Sequence, residues 1–239
     1  FAGEGNDFIL GARLDAFPNG DEGDDWLERG LQDGAAGDMF DPLERDETRG
    51  NDVFLGDGGF DETLGEGGDD IVVGSEGPDK YTLGSGYDWV TYKDGRFGVY
   101  ADMLNNGAVA GPLPQSLAGT AQVFAFTEGL SGSSHGDILR GDHEDALTLP
   151  GNGAQGSVLS QMDLVSGLRA LIGTAAMPGE DGIAGNADDE FGSGNIILGG
   201  EASDIIEGRS GDDIIDGDRW LNVRISVREN ADDPNSEIA

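Results

Sequence analysis

The chain has 239 residues, enough for one or two ordinary domains, but 43 are glycine, and Asp plus Glu outnumber Lys plus Arg by 48 to 13 for a formal charge of −35. That charge argues against nucleic acid or an anionic membrane as partner, since both need positive surface. No transmembrane run or signal peptide is readable, and the absence of cysteine excludes disulfides and thiolate metal sites.

A nine-residue unit recurs along the chain, with glycine in fourth place, aspartate in sixth and an apolar residue in eighth. Residues 2–10 (AGEGNDFIL) form one such unit, with Asp7 sixth and Ile9 eighth; residues 20–28 (GDEGDDWLE) form another, with Asp25 and Leu27. Between them GARLDAFPN keeps the length but not the motif, and residues 34–40 (GAAGDMF) read as a unit shortened by one. Residues 1–46 are therefore an N-terminal block of degenerate repeats.

Residues 47–91 hold five consecutive units in one register: ETRGNDVFL, GDGGFDETL, GEGGDDIVV, GSEGPDKYT and LGSGYDWVT. Gly50, Gly59, Gly68, Gly77 and Gly86 are fourth; Asp52, Asp61, Asp70, Asp79 and Asp88 are sixth; Phe54, Thr63, Val72, Tyr81 and Val90 are eighth. The glycines permit turns with positive φ, and the last three residues form a short strand whose eighth side chain points inward while the seventh and ninth point out.

This pattern resembles G-G-x-G-x-D-x-U-x, the nonapeptide of the RTX (repeats-in-toxin) proteins. The resemblance implies an all-β fold, a right-handed parallel β-roll binding several calcium ions, here with loop/strand and helical insertions. Two units make one coil, so turns eighteen residues apart stack. Parallel strands lie about 4.8 Å apart and calcium–oxygen bonds are about 2.4 Å long, so an ion between two rungs reaches both. Asp52, Asp70 and Asp88 are expected along one edge and Asp61 and Asp79 along the other, with sites at 52/70, 70/88 and 61/79 completed by turn carbonyls. One inward apolar side chain per unit offsets little conformational entropy, and stacked carboxylates repel. Without cations the roll is not expected to form; with them, binding free energy becomes folding free energy.

After Thr91 the period stops. Residues 92–131 read as a strand near 99–103, a Gly/Pro/Ser/Ala-rich loop and a second strand, QVFAF. In the RTX likeness such an insert covers a sheet edge. Residues 132–146 return to the roll through GSSHGDILR, with Asp137 sixth and Leu139 eighth. Residues 147–189 form a helical insertion. Within it, 157–173 carries Leu159, Met162, Leu168 and Leu171/Ile172 at helical spacing, which predicts a helix packed on a roll face. An acidic stretch follows at 179–192, with Asp181, Asn186, Asp188 and Asp189; it reads either as a second type of calcium loop or as a solvated turn, and it lacks EF-hand spacing. Residues 190–218 resume the roll with Asn195, Asp204 and Asp213 in sixth place, the neutral Asn195 being the weaker ligand. Residues 219–239 read as a capping strand and a tail.

The candidate metal ligands are thus Asp7, Asp25, Asp52, Asp61, Asp70, Asp79, Asp88, Asp137, Asn195, Asp204 and Asp213. No catalytic constellation accompanies them. Only His135 and His143 are present, without H-E-x-x-H, G-x-S-x-G or a P-loop. Trp26 and Trp89 fall at outward seventh places, where packing at an edge or against a neighbouring domain is expected.

The order of central block, insert, helix and the GNIILGGEASDIIEGRSGDDIIDGDRWLNVRISVR tail is also similar to the calcium-binding region of large secreted bacterial proteins with animal-type haem peroxidase domains, some associated with manganese(II) oxidation. Peroxidase residues would belong to a haem domain outside this sequence, and the chain reads as a segment of a longer secreted protein exported unfolded by a one-step exporter. Three functions compete: a calcium-dependent folding module supporting neighbouring domains, a metal-handling or regulatory region of a manganese-oxidising peroxidase, and a free-standing enzyme such as a lyase. The last would need a basic residue beside carboxylates in a groove, and the sequence clusters no such base.

Overall fold

The structure is a computed structural model and describes residues 8–11, 26–29, 51–56, 58–65, 68–74, 77–84, 86–105, 122–143, 158–159, 162–192 and 194–221. Strands β1 (Phe8–Gly11) and β2 (Trp26–Arg29) belong to the N-terminal repeats. The central block supplies β3 (Val53–Leu55), β4 (Glu62–Leu64), β5 (Ile71–Val73), β6 (Lys80–Thr82) and β7 (Trp89–Thr91), each the last three residues of a unit. Then come β8 (Tyr100–Asp102), β9 (Val123–Ala125), β10 (Gly129–Ser131) and β11 (Ile138–Arg140). The C-terminal units give β12 (Ile196–Leu198), β13 (Ile205–Glu207) and β14 (Ile214–Asp216).

All named strands pair in parallel, in sheets ordered β1-β2-β4-β6-β9, β14-β12-β10-β7-β5-β3 and β13-β11-β8. Eighth places pair with eighth places: Phe54 with Val72 and Val72 with Val90 in one sheet, Thr63 with Tyr81 in another. The interrupted regions rejoin in the same register. Leu27 of β2 pairs with Thr63, which stacks the N-terminal repeats on the central block. Phe124 pairs with Tyr81, Leu130 with Val90 and Ile197, and Leu139 with Ala101 and Ile206. The 92–131 insert therefore meets the edge of β6 as an added strand, β9, and its Phe124 N–H donates to the Asn105 carbonyl just beyond β8 (2.8 Å).

Inward side chains from all three sheets form one core, with Phe54, Val72, Val90, Leu130 and Ile197 facing Leu27, Tyr81, Phe124 and Leu139. The core thins toward the last described coil, where Ile206 is half-buried and Ile215 is 49% exposed. The capping strand expected beyond falls almost entirely outside the described residues.

A second core lies on the outer face of the six-stranded sheet. Tyr87, Trp89, Ile196 and Leu198 are covered there by Leu159, Met162, Leu168, Ile172 and Phe191. Trp89 is thus packed beneath the insertion, while the side chain of Trp26 is not among those described. The expected continuous helix over 157–173 is corrected: residues 162–173 hold a 3₁₀ turn (Met162–Leu164), a short α1 (Leu168–Ile172) and the start of a second 3₁₀ turn (Gly173–Ala175). Two causes are visible. Gly167 is left-handed (φ 86°), and the bridge between Leu159 and Phe191 holds the start of the segment extended. The apolar stripe still faces the sheet, because burial, not helix continuity, selects those side chains.

Candidate metal centre

Each sixth-place residue immediately precedes a strand, so stacking the strands stacks these side chains at the sheet margins. Along one edge the Asp52 N–H donates to Asp70 Oδ1 (2.8 Å), the Asp70 N–H to Asp88 Oδ1 (2.8 Å) and the Asp88 N–H to Glu128 Oε2 (2.8 Å). The Asn195 N–H donates to Asp213 Oδ1 (2.9 Å) further along. Along the other edge the Asp61 N–H donates to Asp79 Oδ1 (3.1 Å) and the Asp79 N–H to Gln122 Oε1 (2.8 Å). The Val99 N–H donates to Asp137 Oδ1 (2.7 Å) and the Asp137 N–H to Asp204 Oδ1 (2.9 Å). Each of these accepting side chains reaches back toward the preceding rung and caps its backbone N–H, whereas Asn195 Oδ1 accepts the Asp142 N–H (3.0 Å).

The structure therefore brings together Asp52, Asp70 and Asp88, Asp61 and Asp79, Asp137 and Asp204, and Asn195 and Asp213. Asp7 and Asp25 lie outside the described residues. Two members of the rows were not singled out from the sequence, Gln122 and Glu128. Their units have lost the glycine turn and keep only the strand that follows; counting back two residues from the inward Phe124 and Leu130 finds them.

The turns leave no room for side chains beside these carboxylates. Gly59, Gly68 and Gly86 have φ of 132°, 123° and 137°. A Cβ on Gly77 or Gly86 would collide with the carbonyl of Gly59 or Gly68 in the turn one coil earlier. A Cβ on Gly56, Gly65, Gly132, Gly199 or Gly208 would collide with Oδ2 of Asp61, Asp70, Asp137, Asp204 or Asp213. Carboxylate oxygens and turn carbonyls are thus drawn into one close-packed margin.

Electrostatically the margin is strained. Asp88 is fully buried, and burial, then the charges of Asp70 and Glu128, push its carboxyl well above the ordinary range. Asp137 is raised by burial, opposed by hydrogen bonds from Val99 and Ser133 and reinforced by Asp204. Burial also raises Asp213, and Asp142 and Asp212 add to it. Asp88 Oδ2 is buried with no hydrogen-bond partner. A buried carboxyl oxygen without a hydrogen-bond partner is a hard oxygen donor of the kind that fits a divalent cation. Among the described residues no three His, Cys, Asp or Glu side chains converge as a metal-holding group. The rows offer carboxylates in pairs, so turn carbonyls would have to complete any coordination shell.

The remaining candidates do not join the rows. His135 is exposed, its backbone N–H on Ser133 Oγ (3.0 Å), and His143 Nδ1 lies 2.8 Å from Ser210 Oγ. In the acidic loop the Ile183 N–H donates to Asp181 Oδ1 (2.7 Å) and the Gly185 N–H to Asp189 Oδ2 (2.7 Å). Arg169 bridges Asp163 and the carbonyls of Asn186 and Ala187, closing the loop against α1. No helix among the described residues is long and apolar enough to cross a membrane. No protein-family model, curated protein or solved structure matches the chain.

Proposed function

We propose that the chain is a calcium-binding, right-handed RTX-type β-roll that folds on taking up calcium outside the cell and so stiffens and supports neighbouring domains of a larger secreted protein. In this reading the chain is not itself an enzyme. The observation that carries it is the stacking of buried carboxylates on adjacent rungs, with Asp88 Oδ2 left without a hydrogen-bond partner. Stacked carboxylates in a buried margin are unfavourable by themselves, and a divalent cation between rungs turns the repulsion into attraction. Calcium suits the site better than magnesium or manganese, because carboxylates and carbonyls on flexible glycine turns favour a larger ion with a variable shell.

The test is a far-UV circular dichroism titration with calcium after chelation, repeated with magnesium and manganese. A cooperative coil-to-β transition selective for calcium is expected. A chain already folded in chelator and indifferent to calcium would overturn the proposal.

A further inference from the structure

We infer that Gln122 occupies the place of a cation, so that the row of ions on the Asp61/Asp79 edge ends there instead of continuing into the strand the insertion contributes. This rests on the cation-binding reading above. The register of β9 on β6, Phe124 against Tyr81, puts Gln122 in the sixth-place position next to Asp79. Its side chain is buried and its amide performs two tasks. Oε1 accepts the Asp79 N–H at 2.8 Å, the role Asp79 Oδ1 plays toward Asp61. Nε2 donates to the carbonyl of Gly77, in the turn that precedes Asp79.

An uncharged N–H thus binds the turn carbonyl that a cation would otherwise engage. The adjacent carboxylate is closed in the same way, since Asp79 Oδ2 accepts the Tyr81 hydroxyl at 2.9 Å. The opposite edge is built differently at this level. There the position is held by a carboxylate, Glu128, and the neighbouring Asp88 keeps a buried oxygen with no hydrogen-bond partner. A cation approaching the Gln122 amide nitrogen would meet a donor. Flipping the amide to offer oxygen would take the acceptor from the Asp79 N–H and turn Oε1 on the Gly77 carbonyl. The insertion strand therefore docks on this edge through neutral hydrogen bonds, and its attachment does not depend on filling a site.

The isosteric Gln122→Glu tests this, because it keeps the acceptor for Asp79 and replaces the donor by an anionic oxygen. Calcium bound per full-length chain is measured by metal analysis after equilibrium dialysis, with folding followed by circular dichroism. The variant is expected to bind one more calcium than the wild type and to need more calcium to fold. Equal stoichiometry in a folded variant overturns the inference while leaving the parent reading intact. Absence of calcium binding by both chains overturns both. A wild-type crystal soaked in terbium supplies a second measurement that does not depend on the variant folding: no anomalous peak is expected within bonding distance of Gln122 Oε1, and a peak there overturns the inference.

Discussion

Replacing Asp88 by Asn separates the two tasks of its carboxylate. The Asn retains Oδ1 as acceptor for the Asp70 N–H, which Asp88 binds at 2.8 Å, and removes the charge. In the cation-free chain that charge is costly, since Asp70 and Glu128 each lie one strand away. At about 4.8 Å two unit charges repel by about 3 kcal/mol at an effective dielectric of about 20. Proton uptake limits the penalty. At pH 7 it cannot exceed the cost of holding the carboxyl protonated in the unfolded chain, about 1.36 kcal/mol for each of the roughly 3 units between pH 7 and the ordinary value, or about 4 kcal/mol. Burying the second Asn group returns part of this, so Asp88→Asn is expected to stabilise the chelated chain by about 1–3 kcal/mol. In calcium the sign reverses: one carboxylate is lost from a shared site, and each tenfold rise in the calcium midpoint corresponds to about 1.4 kcal/mol.

The assay is urea unfolding in calcium, paired in chelator with the trimethylamine N-oxide concentration at which the chain folds. Asp88→Ala is the control. It removes the same charge but leaves the Asp70 N–H buried without its acceptor, at about 1–3 kcal/mol, and is expected to be less stable than Asp88→Asn under both conditions. If Asp88→Asn changes stability by the same amount and in the same direction with and without calcium, its carboxylate only caps a backbone N–H, and the cation argument fails.

Ala202 holds a fourth place normally taken by glycine and has φ 78°; Ala202→Gly is expected to raise stability by about 1 kcal/mol in calcium, read from the urea midpoint. Trp89 is buried beneath the insertion, so Trp89→Ala is expected to cost about 3–5 kcal/mol whether the cation present is calcium or another that supports folding, detected as a lowered thermal midpoint. Asp88, Asp137 and Asp213 have raised carboxyl pKa values, so the folded chelated chain binds protons more tightly than the unfolded one. Their contribution is greatest below the ordinary carboxylate value and is lost as pH rises through the raised ones; circular dichroism in chelator is expected to show more β-structure at pH 4 than at pH 7.

The central block was legible because its period is strict: a unit of nine and a coil of eighteen place Asp70 over Asp52 and Asp79 over Asp61 without any knowledge of distant contacts. The resumption at Asn195 and Asp213 was legible for the same reason. The insertions were not, because their register is set by pairing over long separations, as where Val90 meets Leu130 and Leu130 meets Ile197. Gln122 and Glu128 escaped notice because their units carry the strand without the glycine turn. The helical segment shows the opposite failure. Its apolar spacing was correct about which side chains are buried, but Gly167 and the pairing of Leu159 with Phe191 decide the backbone.

What repeats along the margins is a side-chain acceptor placed one residue before the strand, as before β3 to β7 and β9 to β14. Asp70, Asp79, Glu128 and Gln122 all accept the N–H of the preceding rung at 2.8–3.1 Å. Gln122 shows that a neutral amide suffices for this, and it does so without burying a charge. The capping demand alone therefore gives no reason for aspartate, which at Asp88 brings repulsion from Asp70, Glu128 and Asp69 and an orphaned oxygen. The acidic side chains are an excess over what the backbone requires. A cation between rungs accounts for that excess, and the neutral residue stands where the row meets the inserted strand.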